Sequence, residues 1–296
     1  MNARIKEKQS GMITSIDYRR KSVKIGYWLM FIGLIALTLI AVIPVVWTFL
    51  SGFKEPEEYY SSMPTFFPAH FDLSKIKSIL VVLKLNVSVV NSLIMFAGVW
   101  FATVVIGGIA GYTISRLKPK GSALLFRVIF WMMLMPNTLS LVPSFLMWTD
   151  FPIIHLNFQN TFLPFWLGGL CNAFDIMLFK NFFDNIPDSF IEAAKIDGCS
   201  NIGIFSKIVV PLSKPIISTV TIFVFQATWN NFMGPFLYLK APNLATVALK
   251  LYKLAEQYTV PEQMLGAFIL MIPTMIIYVI CSRQILSNGM SAGIKE

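Results

Sequence analysis

The chain has 296 residues, of which 56% are hydrophobic and 13% charged, with a formal net charge of +9 and a mean hydropathy of +0.67. A soluble domain carries about 25% charged residues, so a water-covered globule is excluded, and the apolar excess must face lipid or other helices. The three cysteines, Cys171, Cys199 and Cys281, have neither metal-ligand spacing nor the pattern of a disulfide framework, and are read as small packing residues.

In chain order, residues 1–26 form a polar, basic tail. A bilayer-spanning helix needs ~20 mostly apolar residues, because the hydrocarbon core is about 30 Å thick and a helix rises ~1.5 Å per residue. Six stretches qualify, at about 27–50, 87–114, 128–149, 161–183, 215–239 and 263–284. The first is longer than the ~7–15 residues of a signal-peptide core and is read as an uncleaved anchor. The third holds Pro136 and Pro143. The fourth holds Asp175, expected near its inner end and paired with Lys180. The fifth holds Asn230, Asn231 and Pro235, and the sixth Pro273. Strand-type alternation is missing over these lengths, which disfavours a β-barrel. The fold class is an all-α membrane protein with six transmembrane helices in a domain spanning 27–286, followed by a tail at 287–296.

Orientation follows the lysines and arginines. Most of the 24 fall in the N-terminal tail (Arg4 to Lys24), the second loop (Arg116 to Arg127), the fourth loop (Lys180 to Lys214) and the C-terminal tail. With six spans, this puts both termini in the cytoplasm, and the +9 charge reads as topology rather than nucleic-acid binding. Two outer loops have helical spacing of apolar residues. Ser74–Leu85 suits a surface helix. Leu244–Leu254 has a similar pattern, with ordinary loop packing as the open alternative.

The fourth loop, 185–211, reads as helix, turn, helix. Pro187 with Asp188 or Ser189 starts the first helix. Glu192, Ala193, Ala194 and Lys195 favour helix, and Gly198 can adopt the left-handed geometry that ends it. Ser200 or Asn201 can cap the second helix, where Ile202, Phe205, Ile208 and Val209 recur at helical spacing until Pro211 closes it. A DNA-reading helix-turn-helix would need a basic recognition helix. Here that helix offers only Lys207.

Glu192-Ala193-Ala194, Gly198 and Ile208-x-x-Pro211 resemble the EAA loop of ABC importer permeases, with Val210 where that family usually has Leu. Ala227–Tyr238, holding Trp229, Asn230, Asn231, Phe232 and Pro235, resembles the Trp-Asn-x-Phe…Pro segment of carbohydrate-importer permeases. The tail Asn288–Lys295 resembles the ending of the maltose-transporter type, with Glu296 in place of a final Gly. The resemblance implies a type I importer fold and the six-span subunit of a binding-protein-dependent sugar importer. Its implied partners are a second homologous permease, two cytoplasmic ABC ATPases and an extracytoplasmic sugar-binding protein, within membrane lipid. ATP and Mg would be bound by the ATPase, with no cofactor in this chain. Glu192, Ala193, Ala194, Asp197, Gly198, Ile208 and Pro211 are the expected ATPase-coupling residues. Glu192 would pair with a basic residue of the ATPase, and it could equally stabilise its own helix N-terminus. The loop Lys240–Glu262 would probe the binding protein, and deleting Leu244–Leu254 should impair uptake but not assembly.

Gln226, Trp229, Asn230 and Asn231 are candidate translocation-pathway residues, since polar groups at membrane depth face protein or a water-filled path. Interhelical hydrogen bonding is the second reading, and the one preferred for Asn91 and Asn172. Gly107-Gly108-Ile109-Ala110-Gly111 is a small-residue face for close helix packing. No Gly-x-x-x-x-Gly-Lys-Ser/Thr, His-Glu-x-x-His or hydrolytic acid pair occurs, so the chain is not read as an enzyme. The alternative, an ion-coupled secondary sugar transporter, wants intramembrane charges and inverted repeats, in which the sequence is poor.

Overall fold

The computed structural model describes residues 21–63, 65–82, 84–152 and 155–292, and every regular element among them is helical. Most of the expected N-terminal tail (residues 1–20) and the last residues of the C-terminal tail (293–296) lie outside the described residues.

Among the described residues, three helices are long and apolar enough to cross a bilayer: Ser22–Ser51, Asn86–Leu117 and Val260–Arg283. The first is most of α1 (Lys21–Ser51). Its side chains from Ile25 to Val42 are exposed, an apolar surface far larger than a soluble protein tolerates. It joins the rest of the chain at its C-terminal end, where Phe49 packs on Phe268 at 4.6 Å between ring centroids. The short α2 (Pro56–Tyr59) and α3 (Ser74–Val82) follow.

The second long helix starts as α4 (Leu85–Ala102) and continues through a π-helical turn (Thr103–Gly107), α5 (Gly108–Tyr112) and a second π-helical turn (Thr113–Leu117). Two glycines here allow close approach: a Cβ on Gly98 would collide with the indole nitrogen of Trp166, and Gly111 is the one that lets backbone meet backbone. A Cβ on it would lie 2.7 Å from the Cβ of Phe179 and 3.0 Å from the amide of Lys180, whereas one on Gly108 would meet nothing within 4 Å.

The third expected span is not one straight helix. It is α6 (Ser122–Leu134) and a 3-10 turn (Asn137–Ser140) leading into α7 (Leu141–Thr149), with a 90° bend between the halves. Pro136 lacks an amide donor and pushes the preceding residue out of helical geometry; Met135 has ψ 130. Pro143 falls in the first turn of α7, where its missing donor costs little.

The fourth expected span is also broken. It consists of α8 (Leu163–Gly168), a 3-10 turn (Gly169–Cys171) and α9 (Ala173–Asp184). Asn172 caps α9 by accepting from the amides of Phe174 and Asp175, and the Gly169 carbonyl accepts from Thr103 Oγ1 at 3.2 Å. The expected pairing of Asp175 with Lys180 is not found. Asp175 lies in the first turn of α9, where the helix dipole favours an acid, and Lys180 instead pairs with Asp184 at 2.6 Å, one turn further on.

Residues 185–211 carry α10 (Asp188–Ile196), α11 (Asn201–Ile204), a π-helical turn (Phe205–Val209) and α12 (Val210–Leu212). A 72° bend then leads into α13 (Lys214–Trp229). The fifth expected span is interrupted at Asn230 and resumes as α14 (Met233–Tyr238). A 3-10 turn (Pro242–Leu244), α15 (Val247–Gln257) and α16 (Val260–Ala292) complete the chain. α16 therefore runs past the expected end of the span at 284.

Two apolar clusters hold the helices together. One gathers Tyr112, Phe179, Phe183, Ile191, Ala194, Ile204, Val209 and Val220 around the 185–211 segment. The other gathers Phe53, Ile79, Phe225, Trp229, Val247, Leu265 and Leu270 toward the opposite end. Phe96 packs against both, so the clusters form one continuous core along α13.

Candidate functional site

α10 is built with two faces. Ile191 and Ala194 are buried against Phe179 and Phe183, while Glu192, Ala193 and Asp197 are exposed. Large apolar side chains also point outward: Phe190 is 50% exposed, Ile196 87% and Ile202 80%. Such side chains on a short, ordered element mark a surface that another protein or the membrane covers.

Gly198 ends α10 with φ +77, a conformation L residues rarely adopt. The amides of Asp197, Gly198 and Cys199 donate to the carbonyls of Ala193, Lys195 and Ala194, closing the helix. Ser200 is the cap of α11, its hydroxyl accepting from the Gly203 amide at 3.2 Å. Ile208 lies half-buried in the π-helical turn and Pro211 is exposed in α12. Buried Ser213 marks the bend and donates to the Val209 carbonyl at 2.5 Å.

The segment is fastened to the second long helix by a contact that sequence reading missed. Arg116 was counted there only as a topological charge. Its guanidinium donates to the backbone carbonyls of Phe183 and Ile186 and to Asp188. Ser115 donates to Asp184 at 2.6 Å. A cavity of about 450 Å³ beside this contact is lined by Arg116, Lys118, Asp188, Glu192 and Lys195.

The four candidate pathway residues have different fates. Trp229 is 3% exposed and stacks on Phe225, with its indole bound to α16. Asn231 is a cap, accepting from the Gly234 amide at 3.0 Å. Asn230 and Gln226, one turn apart, are exposed. Trp229 and Asn230 line an open cavity of about 540 Å³ with Phe232, Tyr252, Leu270 and Met271; Gln226 and Asn231 do not. Phe232 and Tyr252 stand 4.4 Å apart between ring centroids. Tyr252 was not singled out in the sequence beyond lying in the helical stretch 244–254, and Phe232 was legible only as part of the Trp-Asn-x-Phe run.

α15, which carries Tyr252, is anchored from below. Asn91 donates to the carbonyls of Asn243 and Ala245, and Ser92 accepts from the Val247 amide. This is the structural reading of Asn91. Val247 and Leu249 are buried, so deleting 244–254 would remove part of the core as well as a surface loop.

Residues 103–287 match the profile of a family described as binding-protein-dependent transport system inner membrane component. The chain belongs to this family. The matched span includes Arg116, all of α10 to α14 and the cavity beside Trp229. Over 219 residues the permease is 34% identical to the polygalacturonan/rhamnogalacturonan transport system permease protein of Bacillus subtilis (strain 168), covering 72% of this chain and 70% of that one. It is 24% identical over 287 residues to the arabinooligosaccharides transport system permease protein of Halalkalibacterium halodurans, covering 94% and 99%. A solved chain from a bacterial ABC transporter involved in the import of the acidic polysaccharide alginate superposes with a TM-score of 0.72 at 23% identity, covering 89% of this chain and 98% of that one.

The permease thus has the fold of an ABC importer subunit, is a multi-pass membrane protein and is a transport subunit rather than an enzyme. The comparisons give the ion-coupled alternative no support, and Asp175 makes no ion pair among the described residues.

Proposed function

We propose that this permease forms half of the translocation pathway for a sugar, an oligosaccharide in preference to a monosaccharide, and takes its driving force from a cytoplasmic ATPase through α10. The observation that carries this is the two-faced α10. Its inner face is welded to the span core, and its outer face offers Glu192, Ala193 and Ile196 to a partner. In this reading Glu192 meets a basic residue of the ATPase. Ala193 permits close approach of the partner on the outer face, whereas Ala194, expected from the sequence to share that role, is buried and packs the inner face against the spans. Gly198 sets the turn. Asp197, Ile208 and Pro211 complete the coupling element.

The assembly contains a second homologous permease, two ATPases that hold the ATP and Mg, and an extracytoplasmic sugar-binding protein. Both termini, and the loop 185–211 between the fourth and fifth spans, face the cytoplasm. The domain runs over 27–286, between tails at 1–26 and 287–296. The excess of lysine and arginine at that end supports this orientation. The names of the relatives, which are transport proteins for galacturonan-type and arabinose-type saccharides, support the substrate class. The cavity at Asn230, with the Phe232 and Tyr252 rings beside it, is the pathway half contributed by this chain. Aromatic faces with the Asn230 amide and the Thr274 hydroxyl beside them suit a sugar, whose ring carries both C–H and O–H groups. Trp229 supports that wall, Asn231 shapes the break between α13 and α14, and Gln226 continues the path one turn away.

The test is purification of the chain from its native membrane with mass spectrometry of what accompanies it, followed by reconstitution. An ATPase and a second multi-span protein in the complex, with sugar uptake that requires ATP, are expected. A chain that purifies alone and moves sugar on an ion gradient would overturn the proposal.

A further inference from the structure

Arg116 sits where three elements meet. It lies in the π-helical turn Thr113–Leu117 that ends the second long helix, just before Lys118, which adopts the left-handed φ of 43. The Phe183 carbonyl is in the last turn of α9, and the Ile186 carbonyl lies in the link to α10. Carbonyls at a helix C-terminus have no partner within the helix and are suited to a cation. Asp188 is the first residue of α10, where an acid is favoured. One guanidinium therefore closes the end of α9 and the start of α10 at the same time. Its side chain is only 12% exposed, whereas that of Asp188 is 76% exposed.

The neighbouring contacts make the same junction stiff. Ser115 and Lys180 both bind Asp184, each at 2.6 Å. One turn back along α5, Gly111 lets the two backbones touch at Phe179 and Lys180. The link Asn185–Pro187 is the one place where α10 could swing relative to α9, and Arg116 spans it.

We infer that Arg116 is a positioning residue for coupling: it locks α10 to the second and fourth spans, so that displacement of α10 moves the spans instead of bending the link at 185–187. This rests on the reading of α10 as the element driven by the ATPase. A planar fork with several fixed donors is needed to hold two carbonyls and a carboxylate together. A lysine ammonium is a point charge that cannot reproduce it.

The experiment uses the complete importer, with ATPase, sister permease and binding protein, in proteoliposomes, and reads ATP hydrolysed per sugar imported. Arg116→Lys should keep hydrolysis and raise this ratio by about tenfold. Asp188→Asn, which keeps both carbonyl contacts, should raise it by about two- to threefold. An unchanged ratio in both variants would overturn the inference. So would a parallel loss of hydrolysis, uptake and assembled complex in Arg116→Lys with an unchanged ratio in Asp188→Asn, which would make Arg116 a folding residue only. If the wild-type chain copurifies with no ATPase, it is the coupling reading itself that fails.

Discussion

Trp229 donates its indole N–H to the backbone carbonyl of Leu270, 41 residues away, at 3.0 Å and fully buried. The bond ties the end of α13 to the middle of α16 at the back wall of the cavity that Asn230 faces. Trp229→Phe keeps the stacking on Phe225 but removes the donor. It should lower stability by roughly 0.6–2 kcal/mol, the range for interhelical hydrogen bonds in membranes. Trp229→Ala adds a cavity and should cost about 3–5 kcal/mol. Unfolding of the purified protein in detergent checks both, and equal midpoints for wild type and Trp229→Phe would remove the structural role.

The next residue should behave in the opposite way. The side chain of Asn230 has no hydrogen-bond partner among the described residues and lines the cavity. Asn230→Ala should leave the unfolding midpoint within about 0.5 kcal/mol of wild type, as for other surface positions, while changing the concentration dependence of sugar uptake. Unaltered uptake kinetics would take Asn230 out of the pathway.

Gly111 and Gly108 form a matched pair for testing helix contact. Gly111→Ala must push α5 away from the backbone of α9, and overpacking of this kind costs about 1–3 kcal/mol. At Gly108 a methyl group meets nothing within 4 Å, and replacing a helical glycine by alanine gains up to about 1 kcal/mol. Thermal stability measured side by side should separate the two. Equal effects would mean that the close approach of α5 and α9 is not required.

At the end opposite α10, Glu58 accepts from Thr65 Oγ1 at 2.8 Å and from the Ala69 amide at 3.1 Å. The Thr65 hydrogen bond leads in holding its carboxyl below the usual value, with burial acting in the other direction. A carboxyl whose folded pKa is depressed contributes stability above its unfolded pKa, and this is lost as pH falls through the folded value. The contacts of Glu58 with Thr65 and Ala69 should therefore hold at neutral pH and loosen on acidification through the carboxylate range. Hydrogen exchange at the Ala69 amide reads this directly. Glu58→Gln should abolish the pH dependence, and an unchanged profile in that variant would assign the effect to another group.

The sequence made the helical content, the positions of the apolar stretches and the two helices of the 185–211 segment legible, because apolar runs, caps and Gly198 are local signals. The breaks were less visible. Pro136 was noted, but a proline can kink a membrane helix or merely tilt it, and the 90° turn depends on what packs around it. The split at Gly169–Asn172 depends on Thr103, far away in sequence. Trp229 and Asn231 looked like pathway residues because polar groups at membrane depth have two outlets, a partner or water, and which one is taken is decided by tertiary geometry. Arg116 was hidden for the same reason. A charge at the end of a span looks like any other topology signal until the carbonyls of Phe183 and Ile186 are brought beneath it.

Glu192→Lys, introduced into the complete importer and assayed for ATP-driven sugar uptake, tests the central claim that α10 receives the drive from the ATPase. The variant should insert and pair with its sister permease, since Glu192 is exposed and outside both apolar clusters. Its uptake should fall by at least about tenfold, as expected when a charge at a protein contact is reversed. Uptake at the wild-type rate would contradict the account.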